Sequence, residues 1–150
     1  MAAYLLDTNV VLRLFDRNAP EHEDCKRAVE SLQQAGHALV LAPQVIYEFW
    51  VVSTRPPEQR RGFGWSADRA AAAVDHLLRG FALRPDSPEV FAGWRDIVRT
   101  HRVQGKRAHD ARLVAFQQAH RIEHFMTLNG KDFRDLTNQV LAPDEVGTSP

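Results

Sequence analysis

Five oxygen-bearing side chains stand at places where they could share one hard cation: Asp7, Glu48, Asp110, Asn129 and Asp132. Carboxylates and a carboxamide, with no thiolate among them, suit Mg²⁺ or Mn²⁺. Mg²⁺ takes about six oxygens at roughly 2.0–2.1 Å and keeps several waters among them. Three carboxylates are ample for one such ion and can bridge two ions spaced ~3.5–4 Å apart. Packed together without a cation, the same acids repel and some take up protons. Each residue also has a plainer reading. Asp7 can cap the helix that follows it, and Glu48, set among Ile46, Tyr47, Phe49 and Trp50, can be the single polar position on a buried helix. Asp110 in a first helical turn is favoured by ~0.3–1 kcal/mol whatever else it does. Asn129-Gly130 alone reads as a turn, and Asp132 can cap a turn over 133–136. What distinguishes the two kinds of reading is whether the chain brings these residues to one place.

The elements that would do so follow from the apolar pattern. Ala3–Leu6 is a short strand running into Asp7-Thr8-Asn9, which are turn-forming and capping side chains, and a brief helix carries Val10 to Phe15. Pro20, followed by Glu21 and Glu23, predicts a second helix to about Ala35, stopped by Gly36. The continuous apolar run Ala38–Ala42 predicts a buried parallel strand, and Pro43 opens a helix with Glu48 in its middle. Residues 54–65 are irregular and rich in Pro, Gly and Arg. Ser66 caps an alanine-rich helix to Gly80, and a short strand over 82–84 follows. Helices from Ser87-Pro88-Glu89 to Val98 or beyond and over 108–120, strands over 122–127 and 139–141, and a frayed tail from about Pro143 complete the pattern.

Strands alternating with helices predict an α/β sandwich with a mostly parallel sheet, in which ligands bind beyond the carboxyl ends of the strands where strand order reverses. Asp7 follows the first strand, Glu48 lies in the helix after the second, Asp110 opens the helix before the strand over 122–127, and Asn129 and Asp132 follow that strand. All would face one rim.

At 150 residues the chain fits one domain, and 44% hydrophobic residues are enough for a core without disulfides. Its 19 basic residues balance 19 acidic ones, so attraction to a polyanion must come from local patches. A lone cysteine, Cys25, excludes an internal disulfide framework and a cysteine-rich zinc site. The opening MAAYLLDTNVVLRLF is interrupted by Asp7 and Arg13 too early for a signal peptide, and no apolar run approaches the ~18 residues of a membrane span. The expectation is a soluble cytoplasmic protein.

Four segments, LLDTNVVLRLF at 5–15, PQVIYEFWVV at 43–52, HDARLVAFQQAH at 109–120 and FMTLNGKDF at 125–133, carry a family likeness in their order and spacing. The chain resembles a PIN domain, specifically the toxin nuclease of VapBC-type toxin–antitoxin pairs. The last segment is similar to the family's closing motif, a strand leading to Thr-x-Asp/Asn and then Asp-Phe. The resemblance implies a three-layer PIN-like α/β sandwich and a Mg²⁺- or Mn²⁺-dependent endoribonuclease. It implies that Asp7, Glu48 and Asp110 are the catalytic acids and metal ligands, with Asn129 at a position that is often a fourth acid. There an amide oxygen binds metal or its water without bringing charge, and Asp132 could partly compensate. Thr8, Asn9 and Thr127 resemble supporting residues. The implied chemistry is in-line attack of an activated water on an RNA phosphodiester. His109, beside Asp110, is the one histidine near enough to be considered a base, and it reads better as a structural or RNA-contacting residue.

Lys106, Arg107 and Arg112, with Arg102, crowd the approach to Asp110, and Arg55, Arg60 and Arg61 cluster in the irregular stretch. Such groups could neutralise phosphates, or be ordinary solvated surface. Phe63 and Trp65 could stack on bases or pack against their own domain. The resemblance further implies a homodimer and an antitoxin partner crossing the groove, with Trp50, Phe63, Trp65 and Trp94 the apolar residues to test at an interface. Two other readings stay open: a metal-dependent nuclease acting on DNA or a phosphatase-like hydrolase, and a binding module that keeps the fold without turnover. The Asp-x-Asp-x-Thr pattern of one phosphatase class is not met at Asp7-Thr8-Asn9, and no phosphate-binding glycine loop is present.

Overall fold

In the computed structural model, which describes residues 1–147, the first apolar run forms β1 (Ala3–Leu6), buried at its carboxyl end, with Leu5 and Leu6 inaccessible to solvent. It is the middle strand of a five-stranded sheet. With β2 (Ala38–Leu41), β3 (Ala82–Leu83), β4 (His124–Met126) and β5 (Val140–Leu141), the order is β3-β2-β1-β4-β5. Every pairing is parallel: Tyr4 is in register with Leu39 on one side and with His124 on the other. This is the α/β class read from the sequence, with a wholly parallel sheet where a mostly parallel one was expected.

The helices are α1 (Thr8–Phe15), α2 (His22–Gln34), α3 (Pro43–Thr54), α4 (Ala67–Gly80), α5 (Pro88–Thr100) and α6 (Arg107–Ala119). Pro43 and Pro88 sit in the first turns of α3 and α5, where a missing N–H costs nothing, and the Ser66 hydroxyl caps α4 by accepting from the Arg69 N–H at 3.1 Å. The core joins Leu5, Val10, Val40, Phe49, Phe116 and Phe125, all within 1% of full burial. Among the described residues no helix is long and apolar enough to cross a membrane.

Several boundaries differ from expectation, each for a local reason. α1 already includes Thr8 and Asn9, because Asp7 takes the capping position. α2 begins at His22 rather than Pro20: the Ala19 and His22 amides close turns onto Asp16 and Ala19 first, and Glu21 accepts from Arg13 Nε at 3.4 Å. β4 is shorter than 122–127 because Arg121 turns the chain in a left-handed conformation (φ 54°) and the Ile122 amide closes the end of α6 on the Gln117 carbonyl at 2.9 Å. α6 starts at Arg107, one residue early, whereas α5, ending at Thr100, agrees with the expected helix to Val98 or beyond. The frayed end expected from Pro143 does not begin there: Pro143–Glu145 forms a 3₁₀ turn that packs on α2, with Pro143 and Val146 buried. The remainder of that expected tail, from 148, lies outside the described residues.

Candidate active site

Strand order reverses beside β1, since β2 lies on one side and β4 on the other. The chain leaves β1 at Asp7, β4 at Thr127 and β2 at Ala42, so three exits open on one rim. The Asp7 amide donates to the Met126 carbonyl at 2.9 Å and extends the β1–β4 ladder to its last residue.

Asp7 is only 7% exposed, and both of its carboxylate oxygens are engaged. Oδ1 accepts from the Thr8 N–H at 2.8 Å, so the capping reading is realised, and Oδ2 accepts from the Thr127 hydroxyl at 2.7 Å. Burial pushes this carboxyl up to about 7 against the pull of those two donors, and the charges of Glu48 and Asp110 push it further. Asp110, half-buried in the first turn of α6, is raised to about 6, first by burial, then by Asp132 and Glu48. Arg107 and His109 act in the opposite direction. Acids from four separate segments therefore feel one another's charge at this rim.

Glu48 projects from α3 and is held at both oxygens. The Thr8 hydroxyl donates to Oε2 at 2.9 Å, and Gln44 Nε2, four residues earlier on the same helix, donates to Oε1 at 2.7 Å. The supporting residues lie together as well. Asn9 Nδ2 donates to Thr127 Oγ1 at 3.4 Å, its Oδ1 accepts from the Leu128 amide at 3.2 Å, and the Asn129 amide donates to Thr127 Oγ1 at 3.0 Å. Asn129 enters through its backbone and is exposed. The acid whose charge acts on Asp110 from this segment is Asp132, inside the 3₁₀ turn Gly130–Asp132 rather than capping the next one.

An open cleft of about 780 Å³ runs over Glu48, Asp110 and His109, with Tyr47 and Val51 as an apolar wall and Arg55, Arg60 and Lys106 along its rim. Asp7 is not among the lining residues and stands behind the floor. Among the described residues no three His, Cys, Asp or Glu side chains form a group that would hold an ion by themselves.

The basic residues singled out in the sequence divide into two kinds. Arg107 is bound to Asp135 at 2.7 and 2.8 Å. Arg112 pairs with Asp86 at 2.9 Å and donates to Gln44 Oε1 at 2.9 Å. Lys106, Arg55 and Arg60 line the cleft, as Arg112 does despite its pairing. Arg60 and Arg61 belong to a strap over 55–64 tied to α3 by the bonds Phe63 N–H to Val52 O (3.1 Å) and Trp65 N–H to Ser53 O (2.9 Å). Both arginines have left-handed backbones (φ 45° and 59°), and Gly62 has no room for a side chain, since a Cβ there would lie 2.2 Å from the Arg55 carbonyl oxygen. Phe63 and Trp65 pack inward: Trp65 meets Phe15 and Phe49 edge-on, with Arg69 4.3 Å above its ring. Trp94 is partly buried, its indole N–H donating to the Ala108 carbonyl at 2.8 Å. Trp50 stays exposed on α3 with Tyr47 and Val51.

Gln44 and Asp86 are site residues the sequence reading missed. The i, i+4 spacing of Gln44 and Glu48 on one helix was a usable signal. The Asp86–Arg112 pair has none, because its members meet only in the folded chain.

Comparison with solved structures places the fold among toxin–antitoxin proteins. The chain is similar to VapBC-1 from nontypeable Haemophilus influenzae (TM-score 0.71, 14% identity, 95% of this chain and 99% of that one). It is similar to FitAcB from Neisseria gonorrhoeae (TM-score 0.70, 20% identity, 95% and 99%). It is also similar to VapC20 from Mycobacterium tuberculosis, described as a toxin that cleaves the sarcin-ricin loop (TM-score 0.64, 16% identity, 91% and 98%). At these identities the likeness is one of fold. No curated protein matches the sequence. The family model of the PIN domain matches residues 4–138, and the chain belongs to the PIN domain family.

Proposed function

We propose that this protein is a divalent-metal-dependent endoribonuclease, acting as the toxin of a toxin–antitoxin pair, with Asp7, Glu48 and Asp110 as its acidic centre. The observation that carries the reading is the convergence of Asp7, Glu48, Asp110 and Asp132 from four segments at one rim, where their charges add to the burial that raises Asp7 to about 7 and Asp110 to about 6. A protein gains nothing from such crowding unless a cation neutralises it. The donor set consists of hard oxygens, suited to Mg²⁺ or Mn²⁺. A hydrated ion fits it better than a bare one, since the acids do not close into a cage by themselves and Mg²⁺ keeps several waters.

A bound divalent cation supplies charge neutralisation at the phosphate and lowers the pKa of water. The chain's own residues do the rest. Glu48 and Asp110 present carboxylates to the cleft, and Asp7 contributes charge from behind them. Thr8 and Gln44 fix the Glu48 carboxylate, and Thr127 fixes that of Asp7. Asp132 adds a further charge near Asp110, and Asn129, tied to Thr127 by its backbone amide, is kept as the fourth ligand on the strength of the sequence resemblance. Lys106, Arg55 and Arg60 are placed to meet the phosphates of a strand lying over the acids. Arg107 and Arg112, occupied by Asp135 and by Asp86 with Gln44, are assigned to structure instead.

The partner reading is supported by the solved structures of similar fold, among them a toxin–antitoxin complex from Klebsiella pneumoniae, and by the exposed apolar wall of Tyr47 and Val51 beside the cleft. A second copy of the chain remains part of the proposal on the strength of the sequence resemblance.

The test incubates the purified protein with structured RNA, single-stranded RNA and DNA, in Mg²⁺, Mn²⁺ or EDTA, beside Asp7→Asn and Asp110→Ala. Metal-dependent RNA cleavage that either variant reduces at least ~100-fold supports the reading. Cleavage of DNA alone, or activity indifferent to both substitutions, overturns it. Induced expression should arrest growth, and Asp110→Ala should relieve the arrest.

A further inference from the structure

Gln44 is a buried amide on α3, four residues before Glu48, with partners on both its nitrogen and its oxygen. Its Nε2 donates to Glu48 Oε1 at 2.7 Å and to the His109 carbonyl at 2.9 Å, and its Oε1 accepts from Arg112 Nη1 at 2.9 Å. The two partners on the nitrogen can only accept and the partner on the oxygen can only donate, so a single orientation of the amide satisfies all three. Turned by 180°, it would set its oxygen against a carboxylate and a carbonyl, and its N–H groups against a guanidinium. Arg112 thus adds the third bond to an amide orientation that the Glu48 carboxylate and the His109 carbonyl also require. Arg112 is in turn anchored outside the helix by Asp86, whose Oδ2 accepts from Nη2 at 2.9 Å. A chain of contacts runs from Asp86 through Arg112 and Gln44 to Glu48, joining the loop before α5 with α6 and α3. It ends at the carboxylate that faces the cleft.

We propose that Gln44 and Arg112 are positioning residues that act as one unit to hold the Glu48 carboxylate, with Asp86 as their anchor. Arg112, read from the sequence as an RNA contact, gives a donor on each terminal nitrogen to the protein. The role in catalysis rests on the nuclease reading above; the geometry of the unit does not. Partners that orient an acidic ligand matter about 10–100-fold for metal affinity or activity.

The full-length protein is compared with Gln44→Ala, Arg112→Ala, their double variant and Arg112→Lys. Mn²⁺ affinity is read by calorimetry, kcat and KM on an RNA oligonucleotide, and the Gln44 side-chain amide by ¹⁵N NMR, its signals assigned by their loss in Gln44→Ala. The expected result is a ~10-fold weaker Mn²⁺ affinity and a similar loss of kcat in each single variant, with KM unchanged. The double variant should be no worse than either single, and Arg112→Lys should recover part of the loss. Arg112→Ala should also shift the Gln44 amide signals measurably, since the oxygen loses its donor while the nitrogen keeps its two acceptors. Additive losses with a raised KM in Arg112→Ala would make Arg112 an independent RNA contact and overturn the proposal. So would amide signals that ignore Arg112→Ala. Should the wild type neither bind Mn²⁺ nor cleave RNA, the nuclease reading fails by itself, and the amide signals still decide the unit. If Arg112→Ala does not fold, Asp86→Asn, which loosens Arg112 only at its far end, is read in the same way.

Discussion

The Thr127 hydroxyl donates to Asp7 Oδ2 at 2.7 Å across 120 positions of sequence, a bond with no exposure to solvent on the threonine side. It is one of two donors that keep a buried carboxylate partly ionisable. Thr127→Val keeps the shape and removes the donor. The buried oxygen left behind should cost about 1–3 kcal/mol at pH 8 and push the Asp7 carboxyl further above 7. Thermal scans should then show a larger loss at pH 8 than at pH 5, and cleavage should need a more alkaline medium. Equal losses at both pH values would reduce the hydroxyl to packing.

The raised carboxyls fix the sign of the metal-free protein's pH dependence. Asp7 lies above its unfolded value of 3.8, so between pH ~4 and ~7 the native state holds a proton that the unfolded chain has released. Its contribution is complete below about pH 4 and is lost as pH rises through about 7. Asp110 adds to the same trend up to about 6. In EDTA the melting temperature should therefore fall from pH 5 to 7.5. Asp7→Asn, neutral at every pH, should flatten the slope, by an amount whose ceiling is on the order of 4 kcal/mol. A melting temperature that rises over this interval in EDTA would contradict the assignment of both groups.

Added Mg²⁺ or Mn²⁺ should reverse that slope. A cation competes with protons for the same oxygens, so its stabilisation should be greater at pH 7.5 than at pH 5. Differential scanning fluorimetry with and without metal reads this directly, and Asp110→Ala should remove most of the metal-dependent shift.

Lys106 and Arg107 are neighbours in sequence with opposite expectations. Lys106 lines the cleft, whereas Arg107 is bound to Asp135. Lys106→Ala should raise KM for RNA several-fold and lower the salt slope of binding by about one unit. Arg107→Ala should leave both unchanged. The reverse pattern would mean that the Arg107–Asp135 pair opens for the substrate.

Gly62→Ala tests the strap. The added Cβ would meet the Arg55 carbonyl at 2.2 Å, so the segment carrying Arg55 and Arg60 has to move. The expected cost is about 1–3 kcal/mol together with a higher KM. An unchanged melting temperature would show that the strap yields freely.

The convergence of Asp7, Glu48 and Asp110 was legible because each lies a fixed distance from the end of a strand or the start of a helix, and a parallel sheet puts those ends on one side. The α2 start at Pro20 was not: proline marks a possible first turn, but the Arg13–Glu21 contact and two closing turns carried the chain to His22 first. β4 was read too long because Ile122 looks like any strand residue until its amide is seen to end α6. Arg112 was read as an RNA contact because charge near an acidic site suggests phosphate; its bonds to Asp86 and Gln44 were not legible because those residues come from distant elements. Phe63 and Trp65 sit in a stretch that looks like open loop, and only the tertiary contacts with Phe15 and Phe49 reveal it as a lining of the core. Local spacing encodes position along an element. It does not encode which elements touch.

The pairing of β1 with β4 sets a timetable for synthesis. Asp7 is synthesised long before the strand that completes its surroundings, which begins only at His124. Until then Asp7 has no Thr127 hydroxyl, and β1 lacks a neighbour on one side. A pairing this far apart in sequence closes late and slowly. The buried surroundings of Asp7 are thus assembled only once β4 has paired with β1.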